Sequence, residues 1–192
     1  MQTSETVFNL RLWNVEEYHR MAASGILDED ERVELLEGKI IWMSAKGTAH
    51  ASAVARSYKL FVSLLDGLAW IISQDPIALN QFSEPEPDIS IVKIDPLDYA
   101  DHHPTTEEIY LIIEVADSSL KFHRQTKSKS YAKSGIRDYW VLDVINRQLY
   151  VLREPGEEGY QQEVILDENA MIFPLEFPGL QIQVKQMLPP VK

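Results

Sequence analysis

Apolar positions along the chain follow two periods that repeatedly give way to one another. Residues 15–24 (VEEYHRMAAS) show helical spacing, with Asn14 placed to cap the start, acids in the first turn and Gly25 just past the end. RVELL and KIIWM flank Glu37-Gly38 and predict two short strands joined in a hairpin. From Thr48 onward, Ala51, Val54, Tyr58, Phe61, Leu64 and Leu65 recur at three- and four-residue intervals, which predicts a long helix closed by Gly67. AWIIS, DISIV and YLIIEVA then read as strands. They are separated by the proline-bearing FSEPEP and by a loop over 95–107 that holds Pro96, His102, His103 and Pro104. A basic helix ending at Gly135 follows, then DYWVLDV and QLYVLRE as a hairpin turning at 145–147, then YQQEVIL and LQIQVKQ as late strands. This order predicts an α/β (α+β) fold with a mixed central β-sheet flanked by helices.

One strand breaks its own pattern. YLIIEVA is apolar enough to be buried on both faces, yet Glu114 stands near its C-terminal end. Desolvating an ionised carboxylate costs several kcal/mol, roughly, unless a partner or a metal compensates it. Either Glu114 reaches the surface or its charge is required nearby. A second acid, Asp88, opens the apolar strand DISIV directly after Pro87. If the two strands are neighbours, their carboxylates converge, as a divalent cation with oxygen ligands demands. The alternative is a pair of strand-end acids, one of which caps a loop.

Composition narrows the partners. The chain has 192 residues, 45% of them hydrophobic, which suits one compact domain. It has no cysteine, so disulfides and thiolate metal sites are excluded. MQTSETVFNLRLW lacks the pattern of a signal peptide, and a cytoplasmic protein with no membrane association is expected. The net charge of −12 argues against a protein that coats nucleic acid generically. Cations nevertheless concentrate locally: Lys121, Arg124, Lys127, Lys129, Lys133 and Arg137 occupy a window from Ser118 to Arg137 that has no acid. That window is either a solvated helix face or a phosphate-facing surface. Within it Arg124, Lys127 and Tyr131 share a face by three- and four-residue spacing, while Lys129 points elsewhere.

The ordered set of these residues resembles the PD-(D/E)XK nuclease superfamily, and within it a widespread bacterial restriction-endonuclease family. The residues that carry the resemblance are Glu34-Leu35 with Gly38, His50, Pro87-Asp88, Glu114-Val115 with Ser118, Lys127 with Tyr131-Ala132, and Gly135, Tyr139, Trp140 and Asp143. They run from about Val33 to Tyr150. The resemblance implies a restriction-endonuclease-like domain over 1–192, with its core at about 30–185. It implies a Mg²⁺- or Mn²⁺-dependent endonuclease that hydrolyses DNA. Asp88, Glu114 and Lys127 would be catalytic, and Asp88, Glu114 and Glu34 would hold the metal. Arg124, Lys129 and His50 would contact substrate.

Two departures stand out. The superfamily's usual lysine follows the glutamate by two residues, where this chain has Ala116, so Lys127 must reach over from the next helix. His123 stands where relatives often carry an acid. Two residues keep a second reading: Glu34 as an outward-facing hairpin residue, and His50 as an ordinary helix-start histidine. His102 and His103 read as exposed, and Tyr139 and Trp140 as core. A homodimer is expected, since cutting both strands of a duplex commonly uses two sites. The competing reading of the whole chain is an inactive restriction-endonuclease-like fold that binds protein or nucleic acid. A hydrolase of small phosphate esters has no Gly-rich phosphate loop in its favour.

Overall fold

The computed structural model describes residues 10–28 and 30–191. The first nine residues of the stretch that carries no signal-peptide pattern lie outside the described residues, as does Glu29 in the acidic connection. Helix α1, Val15–Ala23, begins with a reciprocal capping box: Glu17 N donates to Asn14 Oδ1 at 2.8 Å, and Asn14 N donates to Glu17 Oε2 at 3.2 Å. Strands β1, Val33–Leu36, and β2, Lys39–Trp42, form the expected antiparallel hairpin. Its two turn residues, Glu37 and Gly38, both have positive φ, as a tight primed turn requires. Gly38 is needed on a second count, because a Cβ there would stand 2.6 Å from Leu12 Cβ. The hairpin lies outside the main sheet. It is tied down through Gly38 N to Phe82 O at 2.7 Å and a bridge between Leu35 and Glu84.

The central sheet has six strands: β3 Trp70–Ile72, β4 Ile89–Val92, β5 Ile109–Ala116, β6 Asp138–Asp143, β7 Gln148–Gly156 and β8 Gly159–Asp167, in that spatial order. Every neighbouring pair is antiparallel except β5 and β6, which run parallel and are joined by a helical crossover. The alternation along β5 supplies two cores. Leu111, Ile113 and Val115 pack with Ala53, Val54 and Phe61 of α2, Thr48–Leu64. Ile112 and Ala116 pack with Tyr131, Tyr139 and Val141 on the other face. Burying a large side chain such as Phe61 or Trp140, both fully enclosed, contributes about 2–3 kcal/mol. Among the described residues, no helix is long and apolar enough to cross a membrane.

Two elements depart from the expected pattern. The strand expected over 180–186 is only Ile182–Gln183 (β10), paired with Met171–Ile172 (β9). Val184–Gln186 is instead a short 3₁₀ turn, which inserts Val184, Met187 and Leu188 into the α2 core. The basic helix is also not continuous. It starts as α3, Leu120–Phe122, widens into one π turn over His123–Lys127, and resumes as α4, Ser128–Lys133. Ser128 N closes the wide turn on His123 O, and Tyr139 OH donates to the same carbonyl at 3.2 Å. Such one-turn widenings of a helix occur often at functional sites.

Candidate active site at the paired ends of β4 and β5

The register of the sheet brings the two strand acids together. Ile89 pairs with Ile113, so Asp88, one residue before β4, sits beside Glu114 near the end of β5. A direct link fixes this: Val115 N donates to Asp88 Oδ2 at 2.9 Å. The other Asp88 oxygen, Oδ1, is 3.0 Å from His50 Nε2 and accepts from Gln74 Nε2 at 3.0 Å. Lys46 Nζ lies 4.0 Å from that oxygen. Glu34 arrives from the hairpin, where it is buried, not outward-facing, and Glu86 N donates to its Oε2 at 3.1 Å.

Lys127 joins the two glutamates. Its Nζ donates to Glu114 Oε1 at 2.8 Å and lies 2.9 Å from Glu34 Oε2. All three residues are 2% exposed, so the pairs are shielded from solvent and salt. Tyr131 OH adds a third contact, donating to Glu114 Oε1 at 2.9 Å. Lys127 and Tyr131 thus do share a face toward Glu114. Arg124 does not join them, because the π turn carries it round the helix. Its guanidinium pairs with Glu163 of β8 at 2.7 Å and lies over the Tyr150 ring, 4.2 Å from its centre. Lys129 is exposed and makes no contact with the acids.

These charges shift one another. Burial alone would lower the Lys127 ammonium, but Glu114 and Glu34 outweigh it and hold the group above its ordinary value. Lys127 is therefore a fixed cation at neutral pH. Burial raises the Glu114 carboxyl, with Asp88 acting in the same sense against the pull of Lys127. Burial would also raise Asp88, yet the hydrogen bonds from His50, Val115 and Gln74 hold it below its ordinary value. His123 is lowered to about 4 by burial and by Lys127, so its ring is neutral. The ring's Nδ1 lies 3.6 Å from Glu114 Oε2, beyond hydrogen-bond distance.

The cluster opens onto a cavity of about 340 Å³, whose lining includes Trp42, Lys46, His50, Asp88, Glu114 and His123. Sequence reasoning singled out Asp88, Glu114, Lys127, Glu34 and His50, and the structure brings all five together. It gave no function to His123, Lys46 or Gln74. Gln74 and Lys46 lie in irregular segments with no periodic signal. The other motif residues hold the frame. Trp140 Nε1 donates to Asp138 Oδ1 at 2.9 Å in the core, and the Asp143 carboxylate accepts from Ile145 N and Asn146 N to fix the β6–β7 turn.

A second group of ligand-type atoms lies elsewhere. Asp95, His102 and Glu108 place one such atom each within 4.8 Å of the others. They belong to the loop between β4 and β5, at the opposite end of those strands from Asp88 and Glu114. His102 and His103 are exposed.

Comparison with known proteins bears on the family and the fold. The sequence profile of the Uma2 family, described as "Putative restriction endonuclease", matches residues 15–185. No curated protein matches the sequence. The fold resembles the crystal structure of a putative nuclease belonging to DUF820 from Anabaena variabilis ATCC 29413. The two share 17% sequence identity with a TM-score of 0.70, over 91% of this chain and 96% of the other. The six-stranded mixed sheet with its crossover helix is therefore a nuclease-like fold, and the chain belongs to the Uma2 family of restriction-endonuclease-like proteins.

Proposed function

We propose that this protein is a divalent-metal-dependent endonuclease that hydrolyses DNA phosphodiester bonds at the Asp88–Glu114–Lys127 cluster. The observation that carries the reading is the meeting of two carboxylates from adjacent strands with a buried lysine, at the wall of an open cavity. The donor set fits a hard divalent cation. Among the described residues Glu114 Oε2 accepts no hydrogen bond, and Asp88 is held in its charged form facing the same cavity. Asp88 and Glu114 would hold Mg²⁺ or Mn²⁺, with Glu34 close behind. When bound, such an ion polarises a phosphodiester and acidifies water.

The protein's own groups divide the remaining work. Lys127 is a cation held between two carboxylates, so it serves as fixed positive charge beside the reacting phosphate and not as a proton acceptor. Tyr131 and Glu34 keep its ammonium and the Glu114 carboxylate in one geometry. His50 and Gln74 both bond Asp88 Oδ1 and so orient the carboxylate, a partnership that typically matters about 10–100-fold to metal affinity. The DNA backbone would approach along the cavity rim, where Lys46 is partly exposed and Trp42 largely so. Cleavage of both strands would call for two copies of the chain.

Calorimetric titration with Mg²⁺ and Mn²⁺ tests the reading. Wild-type protein should bind one ion, and Asp88→Asn should weaken binding about a hundredfold or more. No binding to the wild type, or equal binding to Asp88→Asn, would favour a fold kept for recognition alone.

A further inference from the structure

His123 is the least explained group in the molecule. Its side chain is 10% exposed, and its Nδ1 is buried with no hydrogen-bond partner. Leaving a buried ring nitrogen unpaired is costly, because its desolvation goes uncompensated. The other buried partnerless atoms among the described residues are the hydroxyls of Ser57, Ser90 and Tyr160. None of these three lines the cavity, whereas His123 does.

Geometry assigns this nitrogen a direction. Nδ1 is 3.6 Å from Glu114 Oε2, the oxygen left free by Lys127 and Tyr131, which both bind Oε1. The gap is too long for a hydrogen bond. Two atoms bound to one ion at about 2.1 Å each, at right or tetrahedral angles, stand about 3.0–3.4 Å apart. A shift of a few tenths of an ångström would place an ion between the two. The His123 backbone is held firmly while this happens, since its carbonyl closes the π turn and accepts from Tyr139 OH. The wide turn therefore aims two residues at Glu114 from one helix, Lys127 at one oxygen and His123 at the other.

We infer that His123 is a nitrogen ligand of the divalent ion at this site, and that it biases the site toward first-row transition ions over Mg²⁺. Mg²⁺ takes oxygen ligands almost exclusively, whereas imidazole suits Fe, Ni, Cu and Zn best; Mn²⁺, which favours oxygen more than they do, is the paramagnetic ion on which a bound nitrogen can be read. This inference rests on the metal reading above, but it can fail alone.

The test is Mn²⁺ binding to the full chain, followed by calorimetry and by pulsed electron paramagnetic resonance. Wild-type protein should show the coupling of a coordinated imidazole ¹⁴N, and ¹⁵N-histidine labelling should replace it without any substitution. His123→Asn should lose the coupling and weaken Mn²⁺ about tenfold or more, with Mg²⁺ affinity changed less than about threefold. His50→Asn should keep the coupling. Mn²⁺ bound in the wild type with no nitrogen coupling, or with a coupling that survives His123→Asn, overturns the inference and leaves the carboxylate site standing. Absence of Mn²⁺ binding, or binding indifferent to Asp88→Asn, overturns both.

Discussion

Two clusters of ionisable groups sit at opposite ends of the β4–β5 pair, and they handle charge differently. In the loop cluster, Asp95 Oδ1 accepts from Leu97 N and Tyr99 N, and Glu108 Oε2 accepts from Thr105 N and Thr105 Oγ1. His102 lies between Asp101 at 2.7 Å and Glu108 at 3.4 Å. The carboxylates serve the loop's own backbone, so their closeness reflects turn structure. In the Glu34–Glu114–Lys127 cluster the side chains hold one another in the protein interior, and among the described residues Glu114 Oε2 and the neighbouring His123 Nδ1 are left without a hydrogen-bond partner. Proximity of ligand-type atoms is common to both ends. Burial with unspent valence belongs to one of them.

The largest effect that separates the clusters should come from Lys127. Lys127→Met leaves two buried carboxylates without their cation, and urea unfolding should show a loss of about 3–5 kcal/mol. Adding Glu34→Gln and Glu114→Gln to that variant should restore most of the stability, since the buried charges are then gone together. DNA cleavage should be lost in both proteins. A single-variant loss below about 1 kcal/mol would mean that solvent reaches the pair. At the loop end the expected effect is the smallest. His102→Ala and Glu108→Gln should each leave the melting temperature and cleavage essentially unchanged, because their ion pair is exposed and screened. A marked loss of cleavage from either would move function to that end.

Much of this was legible from the chain. Asp88 and Glu114 could be put at strand ends because Pro87 and the flanking apolar runs set where DISIV and YLIIEVA begin and end, but only the sheet register shows that the two strands are neighbours. The displaced lysine was readable only through the family resemblance, since spacing alone leaves every lysine of that helix a solvated side chain, and Lys127 does reach Glu114. Arg124 illustrates what was not. Three-residue spacing assumes 3.6 residues per turn, and the π turn is invisible to that rule, so Arg124 faces Glu163 and Tyr150 instead of the acids. Nor could spacing show whether Glu34 faced in or out. A two-stranded hairpin lying apart from the sheet is buried only through tertiary contacts, here Ser83, Glu84 and Glu86. The strand expected at 180–186 failed for a related reason. Its alternating pattern is equally served by a 3₁₀ turn that drops Val184 and Met187 into the core.

Glu114 is the proposed meeting point of metal and nuclease chemistry, and plasmid nicking probes that role. Nicking of supercoiled plasmid by wild-type protein and Glu114→Gln would be followed with Mg²⁺, with Mn²⁺ and with chelator. Glu114→Gln keeps Lys127 paired to Glu34, so a matched melting temperature can verify its fold. Metal-dependent nicking should appear in the wild type, vanish with chelator and fall about a hundredfold or more in Glu114→Gln. Equal nicking by both proteins, or nicking that persists in chelator, would rule out Glu114 as the seat of a metal-dependent reaction.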